Sequence, residues 1–124
     1  MNEINFLNID LDMESDSDIT PIVAFWGERI SVNRLECQDG IWYGSFETWE
    51  EEENTIITIY HDLVTNLSPE LRWVWNQARK RDFDFGYEGG DIPKSFHSRL
   101  SLESISKLTE IKGSVTITIY PAST

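Results

Sequence analysis

Apolar and polar residues alternate within residues 4–13, and this pattern constrains the fold more than any short motif in the chain. The apolar positions are Leu7, Ile9, Leu11 and Met13. The polar positions are Asn8, Asp10, Asp12 and Glu14. Because successive side chains of a strand point to opposite faces, the pattern predicts a half-buried strand with an acidic outer face.

Two further alternating segments, residues 30–37 and 41–50, flank the dipeptide Asp39-Gly40. Asp-Gly fits the positive φ angles of a tight two-residue turn, so a β-hairpin is predicted here. In its second strand we expect Trp42 and Ser45 to lie on one face, and Tyr43 and Phe46 to lie on the other face. Gly44 is expected to mark a bulge or a close approach of another group.

Two later segments also predict strands. Residues 82–87 alternate Phe83, Phe85 and Tyr87 with Asp82, Asp84 and Gly86. Residues 115–120 alternate Val115, Ile117 and Ile119 with Thr116, Thr118 and Tyr120. Residues 96–100, after a Gly- and Pro-containing loop, are compatible with a short additional strand.

Four helices are predicted, over residues 19–26, 54–67, 69–80 and 102–110. Ser68 and Ser101 are typical helix starts, because a Ser side chain accepts a hydrogen bond from a free backbone N–H. The β-branched residues of 54–67 also fit a strand, but the preceding Glu50–Glu53 favour a helix, since anions stabilise its N-terminal end. Gly113 follows the last helix, where the chain often requires positive φ.

The order of these elements predicts an α+β fold, with a mostly antiparallel sheet of about five strands and helices packed on one face. The 124 residues include five Trp, six Phe and four Tyr, which bring enough apolar area for one core despite the high charge. We therefore expect a single domain over residues 1–124.

The acidic residues are concentrated in the first half of the chain. Residues 1–62 hold fifteen Asp and Glu against two Lys and Arg, whereas residues 63–124 hold seven against eight. The formal net charge of −12 therefore lies in the first half. Such a field repels nucleic acid and anionic membranes and speeds the encounter with a basic protein, so a basic protein partner is expected.

The sequence favours a cytoplasmic location. Cys37 is the only cysteine, so no internal disulfide can form. The acidic N-terminal residues 1–18 lack the layout of a signal peptide. No uninterrupted apolar run approaches the roughly 20 residues that span a bilayer.

Motifs for catalysis and metal binding are weak. His61 and His97 are the only histidines, and neither follows a recognised nucleophile motif. The acidic run from Asp10 to Asp18 fails the EF-hand pattern, because the sixth and twelfth positions hold neither the required Gly nor an acid. We therefore expect a protein that is not an enzyme and that needs no cofactor or metal.

The segment of residues 47–53 is the strongest candidate for a partner-binding surface. Trp49 is followed by four acids, Glu50, Glu51, Glu52 and Glu53. Carboxylates steer a basic protein and an exposed aromatic supplies buried area, so the combination fits a docking surface. It equally fits the solvated start of a helix beside a core tryptophan, and the sequence leaves both interpretations open.

A second cluster supports an alternative hypothesis. Asp82, Asp84, Glu88 and Asp91 lie close in sequence next to a double glycine. They offer carboxylates to a metal ion or a cationic small molecule, and the alternative hypothesis is therefore a module that binds such a ligand, as a binding protein or as an enzyme. A polar strand face followed by a turn is the simpler explanation of the same residues.

From Ile19 onward, the sequence resembles an uncharacterised bacterial family, the domain of unknown function numbered four-two-seven-nine. The features that carry the resemblance are the helix that ends near Gly27, the Trp-containing strand 41–49, the amphipathic stretch 60–67, and the final pattern of Leu100, Leu102, Ile105 and Leu108 before a β-branched strand. The proline that such proteins tend to carry after the first helix is absent. The resemblance implies no functional residues.

In size, acidity and lack of catalytic motifs, the chain is also similar to immunity proteins of bacterial toxin systems, including contact-dependent inhibition. This resemblance implies stoichiometric neutralisation of a basic toxin, typically a nuclease. Together with the charge, it leads to the hypothesis of an immunity protein. The residues expected to contact the toxin are Asp10, Asp12, Glu14, Trp49, Glu50, Glu51, Glu52 and Glu53.

Overall fold

The computed structural model describes residues 3–122. Its strands are β1 (Asn5–Ser15), β2 (Ser31–Gln38), β3 (Ile41–Glu47), β4 (Lys80–Glu88) and β5 (Ser114–Tyr120). Its α-helices are α1 (Thr20–Trp26), α2 (Glu53–Thr65), α3 (Pro69–Gln77) and α4 (Leu102–Glu110). No helix within this range is long and apolar enough to cross a membrane.

The strands form one sheet in the order β2-β3-β1-β4-β5. Neighbouring strands are antiparallel except β4 and β5, which are parallel and are connected through α4. The predicted α+β fold, with a mostly antiparallel sheet and helices on one face, is confirmed. The strand β1 occupies the centre: its residues 5–14 pair with β4, and its residues 11–15 pair with β3.

The helices cover the face of the sheet to which the apolar side chains of the central strands point. Ile9, Leu11 and Met13 of β1 are buried there, and Phe46 of β3 and Phe83 of β4 flank them across the sheet. The alternation therefore predicted the buried face of the strand from Ile9 to Met13. The placement of Leu7 on that face was wrong: Leu7 is exposed, because the register with β4 shifts between Phe6 and Asn8.

Three helices begin at side-chain caps, and two of these caps are the serines that the sequence indicated. Glu52 accepts hydrogen bonds from the backbone N–H groups of Asn54 and Thr55 at the start of α2. Ser68 caps α3 and Ser101 caps α4 in the same way. These bonds satisfy N–H groups that have no partner inside the helix, so the starts of the helices are well defined.

Two buried tryptophans connect the helices. The indole N–H of Trp26 in α1 donates to the backbone oxygen of Leu63 in α2 at 3.0 Å. The indole N–H of Trp75 in α3 donates to the backbone oxygen of Ile111, just after α4, at 2.8 Å. The two rings meet edge to face, with centroids 6.1 Å apart. Each indole thus fills the core and satisfies a buried carbonyl.

The ends of two predicted elements were wrong. The helix expected to reach residue 80 ends at Gln77, because Ala78 is extended and the backbone N–H of Arg79 donates to the oxygen of Glu14, which starts the pairing of β4 with β1. The strand expected to reach residue 50 ends at Glu47. Residues 96–100 contain no strand.

The facing pairs expected in β3 were also wrong. Trp42, Gly44 and Phe46 lie on the helix side of the sheet, opposite Ser15, Met13 and Leu11. Tyr43, Ser45 and Glu47 lie on the other side. The strand passes Gly44 without a bulge, and the Phe46 ring packs over that glycine, where a Cβ atom would lie 2.5 Å from the ring. Close approach is therefore the reason for this glycine.

Gly113 serves a different purpose from the one expected. The residue with positive φ after α4 is Lys112, at 60°. A Cβ atom on Gly113 would lie 2.5 Å from the buried ring of Phe83. The glycine therefore makes room for the ring where the chain enters β5.

Gly113→Ala is expected to lower the free energy of unfolding by about 1–3 kcal/mol, because the added methyl group would displace an aromatic ring that is fully buried. Urea denaturation measures the change. Ser106→Ala, at an exposed position of α4, serves as the control and is expected to change the stability by less than about 0.5 kcal/mol. Equal effects of the two substitutions would contradict the proposed packing.

Candidate functional site

The face of the sheet opposite the helices carries most of the acidic side chains of the strands. We call it the open face, because within residues 3–122 no helix packs on it. Its residues in the three central strands are Asp10, Asp12, Glu14, Tyr43, Ser45, Glu47, Lys80, Asp82 and Asp84. Arg34 of β2 and the hydroxyl side chains of β5 complete its two margins.

The register of the sheet brings carboxylates from separate parts of the sequence together. Asp12 lies directly opposite Asp82, and Asp10 lies directly opposite Asp84, across the pairing of β1 with β4. Opposed side chains in an antiparallel pair have Cβ atoms about 4.5–5.5 Å apart, and like charges at such positions are destabilising. With Glu47 on the other side of β1, these residues form what we call the acidic cluster: Asp10, Asp12, Glu47, Asp82 and Asp84.

Polar neighbours on β1 and β5 hold the cluster in place. The Asn8 amide donates to Asp10 at 3.3 Å and also donates to Glu47. From β5, Ser114 donates to Asp82 at 2.8 Å and Thr118 donates to Asp84 at 2.7 Å. Each of these bonds uses one oxygen of the Asp82 or Asp84 carboxylate and leaves the other available. The hydroxyl groups therefore orient the two carboxylates without removing their negative charge.

The cations of the open face are engaged beside the cluster. Lys80 lies 3.7 Å from Glu14, and Arg34 lies 2.5 Å from Glu36 and stacks on the Tyr43 ring. Among the residues that the structure describes, none of the five cluster carboxylates forms an ion pair with Lys or Arg. The cluster is therefore a concentration of carboxyl groups that no direct ion pair compensates.

The crowding of carboxylates changes the protonation of the central strand. Burial raises the pKa of Asp10 from 3.8 to about 7, and the hydrogen bond with Glu47 and the negative charges of Glu47, Asp12 and Asp84 act in the same direction. Burial also raises the pKa of Asp12, although the hydrogen bond from Ser45 and the charge of Lys80 oppose the change. A nearby cation would lower both pKa values again.

The pKa of Asp10 predicts a pH dependence of stability. Asp10 binds its proton more tightly in the folded protein than in the unfolded chain, where its pKa is 3.8. Between pH 4 and 7 the folded state therefore holds more protons, and the free energy of unfolding falls as the pH rises through this window. Above about pH 7, Asp10 is ionised in both the folded and the unfolded state, and it lowers the free energy of unfolding by its full amount.

Asp10→Asn is expected to raise the free energy of unfolding by about 1–2 kcal/mol at pH 8 and by less at pH 5. This magnitude allows for strong screening, because the Asp10 side chain is only partly buried. Urea denaturation at pH 5, 6.5 and 8 measures it. A gain that is the same at all three pH values would contradict the assigned pKa.

Residues of two separately predicted sites lie on the same face of the sheet. Asp10, Asp12 and Glu14 were predicted partner-binding residues, and all three lie on the open face. Asp82 and Asp84 belonged to the alternative ligand site, and they lie on the same face, directly opposite Asp12 and Asp10. Of the other two alternative residues, Glu88 ends β4 and Asp91 lies in the loop that follows.

Glu47 lay at the start of the predicted segment 47–53 but was not among the residues expected to contact the partner, and Asn8 was not predicted as a site residue. Asn8 had been placed on the polar side of its strand, but the partner for its amide was not predicted. The strict two-residue period of Tyr43, Ser45 and Glu47 could have indicated the face of Glu47.

The segment 47–53 divides between exposed and structural side chains. Trp49 is 69% exposed, and its indole N–H donates to the backbone oxygen of Glu28 at 2.9 Å, which fixes the ring on the surface. Glu50 and Glu51 are exposed. Glu52 caps α2, and its bonds to backbone N–H groups lower its pKa. Glu53 accepts a hydrogen bond from Ser98 at 3.2 Å.

The side chains with catalytic potential lie apart from one another. His61 on α2 contacts Glu110 at the end of α4, with 2.6 Å between the nitrogen and oxygen atoms, whereas His97 is exposed in the loop before α4. Cys37 is exposed on the edge strand β2. Within residues 3–122, no group of three or more His, Cys, Asp or Glu side chains is arranged to hold a metal ion.

Comparisons of the chain with protein-family models, with curated proteins and with solved structures gave no match. The resemblances described from the sequence are therefore neither strengthened nor weakened by relatives. The geometry of the open face carries the functional argument.

Proposed function

We propose that the chain is a non-enzymatic binding protein that captures a basic protein on its open face. The observation that carries the proposal is the pairing of Asp12 with Asp82 and of Asp10 with Asp84. A sheet gains no stability from opposed like charges, and alternating Thr or Ser would serve solubility equally well. Carboxylates retained at such a cost to stability are typical of a functional surface.

The dimensions of the acidic cluster fit a folded basic partner better than a single ion. Its carboxylates come from three adjacent strands, which lie about 4.8 Å apart, and along each of β1 and β4 the two Asp residues are two positions apart. Asp10, Asp12, Glu47 and Asp84 are partly exposed, so more than one Lys or Arg side chain of a protein surface can pair with them, whereas the buried Asp82 would add only its negative charge. The negative potential repels nucleic acid, so the surface competes with nucleic acid for the same basic groups.

We further propose, from the charge and the resemblance to immunity proteins, that the partner is a toxin of the nuclease type and that binding takes place in the cytoplasm. The carboxylates would mask Lys and Arg side chains that the toxin uses to hold its substrate. Trp49, exposed beside Glu50 and Glu51, would add apolar contact area. Glu52 and Glu53 would attract the toxin by their negative charge rather than contact it, because both side chains already make hydrogen bonds at the start of α2.

The test is a pull-down with the tagged full chain, from its native host or from cells that co-express the neighbouring reading frame. It is carried out at about 50 mM and 200 mM salt, because steering by exposed charges weakens as the Debye length shortens. Recovery of a basic protein at near-equal stoichiometry, in a smaller amount at the higher salt, is the expected result. Inhibition of its nuclease activity at a 1:1 ratio would establish the toxin assignment.

Recovery that is equal at both salt concentrations would show that electrostatic capture is the wrong mechanism. Failure to recover any basic protein at either concentration would contradict the proposal. In that case the alternative, a module that binds a metal or small molecule through Asp82 and Asp84, would be tested by thermal shift. A ligand that binds only the folded state raises the midpoint of unfolding.

A further inference from the structure

The two edge strands of the sheet are protected very differently. The strand β2 carries Arg34 and Glu36, and its register with β3 shifts between Val32 and Arg34. Charges and bulges of this kind prevent an edge from pairing with another chain. The strand β5 has neither: residues 114–120 include no charged residue and no proline, and they follow β4 in unbroken register.

The helix side of β5 is also uncovered. Ile117 is 65% exposed and Ile119 is 64% exposed, although their neighbours across the sheet, Phe85 and Tyr87, are buried. The edge therefore combines free backbone hydrogen-bonding groups with an apolar row, which is the combination that pairs most readily with another strand.

The neighbouring helix extends this apolar surface. Lys107 and Glu110 of α4 contact Thr58 and His61 of α2, so that side of α4 faces the centre of the molecule. Leu102 and Ile105 are exposed and, with 3.6 residues per turn, lie on the opposite flank. That flank faces away from α2, and the chain leads from α4 directly into β5. The outer flank of α4 and the exposed row of β5 together form what we call the β5 edge surface.

We propose that the β5 edge surface binds a second copy of this chain. A twofold axis through the edge pairs two β5 strands antiparallel, and centring it at Ile117 places that residue opposite itself. Val115 then faces Ile119, and Thr116 faces Thr118. Apolar side chains meet apolar ones on the helix side, and hydroxyl side chains meet each other on the open side. A twofold interface requires this self-complementarity.

The lack of charged residues in β5 favours a second copy of the chain over the basic partner at this surface. A chain with a net charge of −12 resists self-association through most of its surface. β5 is uncharged, and residues 63–124 as a whole carry seven acids against eight Lys and Arg. It is therefore the place where two copies can meet without opposing their carboxylates. It also offers a basic protein no carboxylate to pair with.

The dimer would form one continuous sheet of ten strands. Because the twofold axis is perpendicular to this sheet, both sets of helices lie on one side and both open faces lie on the other. The acidic clusters remain uncovered, so the dimer would capture two basic partners independently.

The test is sedimentation equilibrium of the full chain alone, from 1 to 200 µM in about 150 mM salt. The expected species has twice the mass of the 14.4 kDa chain. Ile117→Lys places two ammonium groups opposite each other at the axis and is expected to raise the dissociation constant at least tenfold. Val32→Lys, on the helix side of the other edge strand, is the matched control and is expected to remain dimeric.

A crosslink tests the register directly. In a Cys37→Ser background, Ile117→Cys is expected to give a covalent dimer with a short thiol-specific bifunctional crosslinker, because directly opposed Cβ atoms lie about 4.5–5.5 Å apart, slightly beyond the range of a disulfide. Val32→Cys is expected to give none. A wild-type chain that stays monomeric up to 200 µM would overturn the proposal, as would a dimer that survives Ile117→Lys and forms no crosslink at 117. No basic partner is present, so failure here leaves the proposed function untouched.

Discussion

Association with the basic partner is expected to slow at least tenfold when Asp10 and Asp12 are both replaced by Asn. The substitutions preserve side-chain shape and, at pH 8, above the pKa of Asp10, they remove carboxylates from the centre of the acidic cluster, so mainly the steering of the encounter is lost. Stopped-flow measurement of the association rate at low salt, with the partner recovered by pull-down, gives the effect. The salt dependence of the rate is expected to weaken as well.

The same double variant is expected to be more stable than the wild type at pH 8, because it removes carboxylates whose pKa values are raised by burial. Gain of stability with loss of binding distinguishes a functional surface from a structural one. Glu70→Gln combined with Glu103→Gln gives the same change in net charge on the helix side and serves as the control. An equal loss of association rate in the control would mean that only net charge matters, which would contradict a site on the open face.

Trp75→Ala is expected to lower the free energy of unfolding by about 3–5 kcal/mol, a large share of the 5–15 kcal/mol typical of a domain. The side chain is fully buried, packs against Trp26 and holds the carbonyl of Ile111. Its removal leaves a cavity and a buried acceptor without a partner. Urea denaturation followed by circular dichroism measures the loss.

Trp73→Ala is the matched control, since this side chain lies on the same helix and is 58% exposed. It is expected to cost less than about 1 kcal/mol. A comparable loss in the two variants would contradict the assignment of Trp75 to the core. Because Trp75 lies on the helix side of the sheet, its replacement is expected to leave the association rate of the remaining folded protein unchanged.

The local elements were largely predictable from the sequence, because their signals are local. The alternation in residues 4–13, the Asp39-Gly40 turn and the Ser101 cap each determine a strand, a hairpin or a helix start through neighbouring residues. The ends of elements were less predictable: α3 stops at Gln77 because residues 79 and 80 pair with β1, which lies far away in sequence. Tertiary pairing decided that boundary.

The composition of the acidic cluster could not be predicted, although four of its carboxylates were noted individually. Nothing in the sequence says that β1 lies between β3 and β4, and the facing of Asp12 with Asp82 follows from that order and its register. The alternation of β3 was predicted to change at Gly44, and this error placed Glu47 away from the open face, where the structure has it. Trp49 was left between anchor and core by the sequence, and its exposure decides against the core.

The central claim, that the open face of the sheet is the binding surface, is tested most directly by a nuclear magnetic resonance titration. The ¹⁵N-labelled chain is titrated with the basic partner at low salt, and perturbed amide signals are mapped on the sheet. Perturbations are expected to concentrate on Asp10, Asp12, Glu47, Asp82 and Asp84 and their neighbours, and to be lost in the Asp10→Asn, Asp12→Asn variant. Perturbations confined to α2, α3 or α4, with β1 and β4 unchanged, would contradict the claim.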